Sequence, residues 1–124
     1  MKLMSKILFI EDERTLQKTV GEVLLQEGFE VLAAEDGEAG LRMAQSEKPD
    51  LILLDLILPK KDGFEIIEEL RKDPATANLK IIVLTNLGGS EDVERAISLG
   101  ATTYLVKADY ELEEVVSKIK EFLK

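Results

Sequence analysis

Several polar side chains in this sequence stand directly after short apolar runs that are typical of buried strands. An acidic pair follows the first run, a carboxylate follows the third, a hydroxyl ends the fourth and an ammonium follows the fifth; these residues are Glu11, Asp12, Asp55, Thr85 and Lys107. Ligands of an open parallel sheet bind outside the carboxyl ends of its strands. If the runs form such a sheet, these side chains meet at one end of it.

The chemistry of this set points to a phosphoryl group. Three converging carboxylates repel one another unless positive charge lies among them. The chain has 0 Cys and 0 His, which disfavours softer metals and excludes the Ser-His and Cys-His pairings. Mg²⁺ takes oxygen ligands and needs only a few carboxylates. With Lys107 and Thr85 as phosphate-binding groups, Asp55 is the expected nucleophile of an aspartyl phosphate.

Each of these residues also has an ordinary structural explanation when it is taken alone. The acidic run that includes Glu11 and Asp12 could start a helix, and Asp55 could cap a turn. Thr85 could complete a strand, and Lys107 could lie on the surface with its charge in water. Their joint placement at successive strand ends favours the chemical interpretation.

The elements that position these side chains follow from hydrophobic periodicity. Strands are predicted over 7–10, 29–34, 51–54, 81–84 and 103–106, and helices over 14–26, 39–46, 64–72, 91–99 and 111–124. Gly28 is placed to end the first helix, Asp36 to cap the second, and Ser90 to cap the fourth. Alternating strands and helices indicate an α/β fold with a parallel sheet. The short connections predict one domain over residues 1–124.

Composition limits the function further. The chain has 124 residues, 45% of them hydrophobic, and its 16 basic and 25 acidic residues give a net charge of −9. This acidic balance disfavours direct binding to nucleic acid or to anionic membranes. No apolar run reaches the roughly 20 residues that span a bilayer, and the start lacks the features of a signal peptide. A cytoplasmic protein is therefore expected.

The sequence resembles the receiver domains of two-component response regulators. The matching segments are 11–12, the run DLILPKKDG at 55–63, 84–85 and GATTYLVK at 100–107. The resemblance implies a flavodoxin-like (βα)₅ three-layer sandwich with strand order 2-1-3-4-5. It also implies bound Mg²⁺ and a histidine kinase or phosphotransfer protein as phosphoryl donor. The chain would be a phosphoacceptor switch that catalyses only its own phosphorylation and dephosphorylation.

The resemblance also assigns roles to individual residues. Asp55 is the implied phosphoacceptor, Asp12 a direct metal ligand, Glu11 a ligand acting mostly through water, and the carbonyl of Ile57 a further ligand. Thr85 is the implied switch hydroxyl with Tyr104 as its aromatic partner, and Lys107 is the counter-charge. The surface of the fourth helix, fifth strand and fifth helix would change on phosphorylation and control a protein target. A monomer or weak dimer without an output domain is expected.

Three departures from the family pattern carry expectations of their own. Ala108 follows Lys107 where the family usually has a proline in a cis peptide, so the loop is either trans or strained. Asn86 stands where the family prefers a small residue and is expected to narrow access to Asp55, and Glu11 replaces the commoner aspartate. Apolar Ile57 and Leu87 would shield an acyl phosphate from water. Slow self-dephosphorylation is predicted on that basis.

Three other functions compete with the phosphorylated switch. The first is a protein-interaction module that keeps the receiver fold without phosphorylation, as the changes at Ala108 and Asn86 suggest. The second is a flavin-binding protein, although acidic residues 11–13 would repel a phosphate. The third is a hydrolase that uses an aspartyl phosphate, which would commonly place a second acid at the position of Ile57.

Overall fold

In the computed structural model, which describes residues 4–123, five strands alternate with five helices. The strands are β1 (Lys6–Ile10), β2 (Glu30–Ala34), β3 (Leu51–Leu54), β4 (Lys80–Thr85) and β5 (Thr103–Val106). The helices are α1 (Arg14–Gln26), α2 (Gly37–Glu47), α3 (Gly63–Lys72), α4 (Ser90–Leu99) and α5 (Leu112–Phe122). One turn of 3₁₀ helix, Lys107–Asp109, follows β5 directly. The predicted alternation of strands and helices is confirmed.

The strands form one parallel sheet in the order β2-β1-β3-β4-β5, as predicted from the family resemblance. The chain leaves β1 to form β2 on one side and then returns to form β3 on the other. This change of direction opens a crevice outside the carboxyl ends of β1 and β3. Glu11 follows β1 and Asp55 follows β3, so both carboxylates border the crevice.

The central strands are buried on both faces, which explains their unbroken apolar sequences. All four residues of β3 have 0% exposure. Leu51 and Leu53 pack with α1 and α5, whereas Ile52 and Leu54 pack with residues of α2, α3 and α4. Two helices thus cover one face and three cover the other. This three-layer arrangement leaves the carboxyl end of the sheet open for a site.

Two helix ends agree with the sequence prediction, since Gly28 after α1 has a φ of +93° and Asp36 caps α2. The Asp36 carboxylate accepts a hydrogen bond of 2.8 Å from the amide of Ala39. The prediction that Ser90 caps α4 is wrong: Gly89 is the cap and Ser90 is the first helical residue. The carbonyl of Gly89 already accepts the first helical hydrogen bond, from the amide of Val93 at 3.1 Å, so the helix starts one residue earlier.

The last helix is slightly shorter than the sequence indicated. Glu111 lies outside α5 as its cap, and its side chain and that of Glu114 form reciprocal bonds with the backbone, a capping box. The predicted end of this helix at Lys124 lies outside the described residues. No helix among residues 4–123 is both long enough and apolar enough to span a membrane.

Candidate phosphoryl and metal site

Short backbone contacts bring the acidic residues together at the carboxyl end of the sheet. The amide of Glu11 donates to the carbonyl of Ala34 at 3.0 Å, and the amide of Asp55 donates to the carbonyl of Ile10 at 3.0 Å. Pairing between β1, β2 and β3 therefore continues for one residue beyond the strands. The positions of Glu11 and Asp55 are consequently fixed by the sheet rather than by a flexible loop.

Glu11, Asp12 and Asp55 form an acidic cluster. One carboxylate oxygen from each lies within 4.8 Å of the other two. Glu11 and Asp55 are buried, with 1% and 5% exposure, whereas Asp12 is exposed. Charges held this close in a partly dry site repel one another and favour a cation among them. An all-oxygen set of this kind suits a hard cation such as Mg²⁺.

One oxygen of Glu11 supports this fit. Glu11 Oε2 accepts a hydrogen bond of 3.1 Å from the amide of Glu13, but the buried Oε1 has no hydrogen bond. Its nearest cation is Lys107 Nζ, which forms an ion pair with it at 2.9 Å. A buried carboxylate oxygen with spare acceptor capacity can still accept from a metal-bound water. The residues present therefore fit a hydrated cation.

Lys107 supplies the positive charge within the site. Its ammonium lies 2.9 Å from Glu11 Oε1 and 3.1 Å from Asp55 Oδ2, and its side chain is only 14% exposed. The peptide bond to Ala108 is trans, because no cis peptide occurs among residues 4–123. The 3₁₀ turn that starts at Lys107 nevertheless leaves the side chain directed into the cleft. A proline is thus not needed to bring this ammonium to Asp55.

Burial and these contacts together shift two pKa values. Burial raises the pKa of Glu11, and the charge of Asp55 adds to the rise, although contacts with Lys107 and the Glu13 amide oppose it. Burial by itself would lower the pKa of Lys107, but its contacts with Glu11 and Asp55 outweigh this and raise the pKa. Lys107 therefore stays charged at neutral pH and compensates the anions beside it.

Thr85 and Tyr104 lie on the neighbouring part of the sheet. Thr85 is fully buried at the end of β4, and its hydroxyl is 3.5 Å from the amide of Leu87, a weak contact. The Tyr104 hydroxyl donates a 2.6 Å hydrogen bond to the carbonyl of Leu87. Burial, followed by the charges of Asp92 and Asp55, raises the pKa of Tyr104. Both residues thus contact the segment between β4 and α4.

An open cleft of about 290 Å³ lies above these groups. Ile57 and Asn86 form part of its wall, together with acidic residues and Lys107. Ile57 is 55% exposed, and its amide donates to Asp55 Oδ1 at 3.2 Å. Leu87 instead packs against the core on the α2, α3 and α4 face. Of the two residues expected to shield the site, Ile57 therefore lines the cleft, whereas Leu87 packs against the core.

Sequence reasoning missed two supports of the site. The side-chain amide of Gln17 donates to the carbonyls of Glu11 and Ala34, at 2.9 and 3.1 Å, and joins the ends of β1 and β2. The amide of Gly37, at the start of α2, donates to the carbonyl of Pro59 at 3.1 Å. In the sequence, Gln17 is a typical polar residue of a helix, and a glycine after an aspartate is typical of a turn. Neither pattern indicates these distant contacts.

Comparison with known proteins gives the same assignment across nearly the whole chain. A family model described as "Response regulator receiver domain" matches residues 7–120. The "DNA-binding dual master transcriptional regulator RpaA" of Synechocystis is 37% identical over 121 residues, which cover 98% of this chain and 50% of that protein. The "Phosphate regulon transcriptional regulatory protein PhoB" of Escherichia coli is 34% identical over 119 residues, covering 96% of this chain and 52% of that protein.

The fold comparison agrees. The solved structure of Vibrio cholerae chemotaxis protein CheY4 superposes with a TM-score of 0.89 at 29% identity, covering 97% of this chain and 99% of that one. The present chain spans about half the length of the curated relatives that it matches. The chain therefore belongs to the receiver domains of two-component response regulators, which are signalling switches rather than classical enzymes.

Proposed function

We propose that this chain is a phosphorylation-dependent switch that accepts a phosphoryl group on Asp55. One observation carries the proposal: Lys107 Nζ lies between Glu11 Oε1 at 2.9 Å and Asp55 Oδ2 at 3.1 Å, at the base of an open acidic cleft. A partly buried ammonium that contacts the expected nucleophile is positioned to stabilise charge on an incoming phosphoryl group. A purely structural ion pair would not need to face an open cleft.

Asp12 and Asp55 would hold Mg²⁺ directly, with Glu11 acting through water and the carbonyl of Ile57 as a further ligand. These four residues include the cluster whose carboxylate oxygens lie within 4.8 Å of one another. Bound Mg²⁺ supplies positive charge that offsets the charge on the phosphoryl oxygens. The exposed position of Asp12 leaves the metal side of the cleft open to water and to a phosphoryl donor.

The chain's own residues account for the transfer. A carboxylate oxygen of Asp55 forms a bond to phosphorus while the phosphorus–nitrogen bond of a donor phosphohistidine breaks, and the electron pair of that bond stays on the imidazole. Lys107 then exchanges part of its contact with Asp55 Oδ2 for a phosphoryl oxygen. The buried hydroxyl of Thr85 turns from the amide of Leu87 to donate to another phosphoryl oxygen.

Tyr104 connects this event to the surface. Its hydroxyl holds the carbonyl of Leu87, next to the segment that Thr85 would pull inward. A shift of this segment changes the position of α4 relative to β5 and α5, which is the proposed docking surface for a downstream protein. Receiver domains interact with histidine kinases and downstream effectors, and RpaA and PhoB are named as transcriptional regulators. The target of this chain is proposed to be a protein of the same signalling class.

Incubation with Mg²⁺ and acetyl phosphate, followed by intact-mass spectrometry, tests the proposal. We expect a single phosphoryl adduct that is absent in Asp55→Asn and in EDTA. Asp109→Asn is the matched control, because Asp109 is exposed on the 3₁₀ turn and should leave the adduct unchanged. A wild-type chain that takes up no phosphoryl group under these conditions would favour the interaction module that does not use phosphorylation.

A further inference from the structure

The loop between β3 and α3 carries both Asp55 and Ile57, so its shape sets the geometry of the proposed site. One end of the loop is fixed by the amide of Gly63, which donates to the carbonyl of Leu56 at 2.9 Å. The middle of the loop has a tight bend, since the amide of Lys61 donates to the carbonyl of Pro59 at 2.8 Å. Lys60 has a φ of +71°, which a residue with a side chain rarely adopts without support.

That support comes from the start of α2. The amide of Gly37 donates to the carbonyl of Pro59 at 3.1 Å, and Asp36 Oδ2 lies 3.8 Å from Lys60 Nζ. Asp36 is at the same time the cap of α2, so this side chain joins the helix start to the loop. The bend over residues 59–61 is thus held against a helix terminus rather than in solvent.

The contact leaves no space for a side chain on Gly37. A Cβ atom at this position would lie 1.7 Å from the carbonyl oxygen of Lys61, 2.6 Å from its carbonyl carbon and 2.8 Å from its Cβ. The obstacle is backbone, which cannot rotate away as the end of a long side chain can. Any substitution of Gly37 must therefore displace the loop or the start of α2.

We propose that Gly37 is a positioning residue for the metal and phosphoryl site, acting through residues 59–61 on the carbonyl of Ile57. This inference rests on the proposed function, because it assumes that Ile57 is a metal ligand. Only residues 58–60 separate Lys61 from Ile57, and Pro59 restricts the conformation of Leu58. A shift of the Lys61 backbone should therefore also move the backbone of Ile57, because the short segment between them has little conformational freedom.

The chain offers matched glycine controls. Gly100 has a φ of +118°, and a Cβ there would lie 2.7 Å from Arg71 Cγ, so Gly100→Ala destabilises the fold. It precedes β5 and thus lies at the end of the sheet opposite the site. Gly21 lies within α1, and a Cβ there would meet only Val31 Cγ1, at 4.0 Å. Gly21→Ala is expected to be tolerated, because alanine favours a helix over glycine.

The experiment measures Mg²⁺ affinity by ¹H–¹⁵N NMR titration, alongside the melting temperature, for the wild type and these variants. Gly37→Ala is expected to weaken Mg²⁺ binding about tenfold, a loss typical of disturbed ligand support. Gly100→Ala should melt at a lower temperature with unchanged Mg²⁺ affinity, whereas Gly21→Ala should leave Mg²⁺ affinity unchanged and should not lower the melting temperature. Phosphorylation of Gly37→Ala by acetyl phosphate should recover at raised Mg²⁺ concentration. Equal Mg²⁺ affinity in Gly37→Ala and Gly100→Ala would overturn the inference.

A second measurement needs no variant. Since coupling is reciprocal, Mg²⁺ binding should slow hydrogen exchange of the Gly37 amide several-fold but leave the Gly100 amide unchanged. The absence of extra protection at the Gly37 amide would also overturn the inference. Because this measurement uses the wild type, it remains decisive even if Gly37→Ala does not fold. A wild type that binds no Mg²⁺ would refute the proposed function and this inference together. A wild type that binds Mg²⁺ with no effect at Gly37 would refute the inference alone.

Discussion

Replacing Lys107 by methionine tests the electrostatic balance of the site, because methionine keeps most of the apolar stem and removes the charge. The ammonium lies 2.9 Å from Glu11 Oε1 and 3.1 Å from Asp55 Oδ2. At an effective dielectric constant of about 20, each contact has a gross attraction of about 5–6 kcal/mol. Desolvation offsets part of this, and removal of one partner from a buried pair typically costs about 3–5 kcal/mol.

We take the lower value, about 3 kcal/mol, because the cleft above Lys107 is open to water. For a chain of 124 residues, an unfolding entropy of about 2.1 cal/mol/K per residue converts this loss into a melting temperature lower by about 11 °C. The assay is calorimetric unfolding at pH 7 in EDTA. Lys118→Met is the matched control, because Lys118 is 40% exposed and pairs with Glu121 on the surface, at 3.7 Å. It should shift the melting temperature by less than about 2 °C.

The pH dependence of the same variant gives an independent test. The pKa of Glu11 is already raised by burial, and loss of Lys107 should raise it further. Glu11 then binds its proton more tightly in the folded state than in the unfolded state, so protonation favours folding. The stability deficit of Lys107→Met relative to wild type should shrink as the pH falls from 7 and be smallest below 4.5, the ordinary pKa of a glutamate. An unchanged melting temperature at pH 7, or a deficit that grows on acidification, would refute the reasoning.

Three further predictions concern other parts of the molecule. Ile57→Asn should shorten the lifetime of the phosphorylated state, measured by loss of the mass adduct over time, because an amide can orient water over Asp55; an unchanged lifetime would contradict the shielding role. Tyr104→Phe should cost about 1 kcal/mol and speed hydrogen exchange between β4 and α4, because the carbonyl of Leu87 loses its 2.6 Å bond. Arg71→Met should cost about 2–4 kcal/mol in urea unfolding, because Arg71 donates to the carbonyls of Gly100 and Ala77 at 2.7–3.0 Å, and a loss below about 1 kcal/mol would show that water replaces these bonds.

The sequence by itself determined the fold class and the end of the sheet at which the candidate site lies. Apolar runs such as residues 51–54 have no alternation, and a run of this kind indicates a strand buried on both faces. The alternation of such runs with helical periodicity allows few arrangements other than a parallel sheet. In that sheet, residues that follow strands must lie at one end. The candidate site residues lie at this end because each of them comes just after a strand in the sequence and parallel strands all end at the same edge; they are Glu11, Asp12, Asp55 and Lys107.

Other features depended on the packing of distant segments. The sequence left open whether Lys107 faces water or Asp55, since a trans peptide before Ala108 allowed either direction. The tertiary structure decided this, because Glu11 and Asp55 belong to different strands and together form the anionic partner of the ammonium. The contact of Gly37 with the backbone of Lys61 likewise joins segments 24 residues apart. Periodicity and capping preferences describe neighbours along the chain, whereas contacts of this kind exist only once the helices have packed on the sheet.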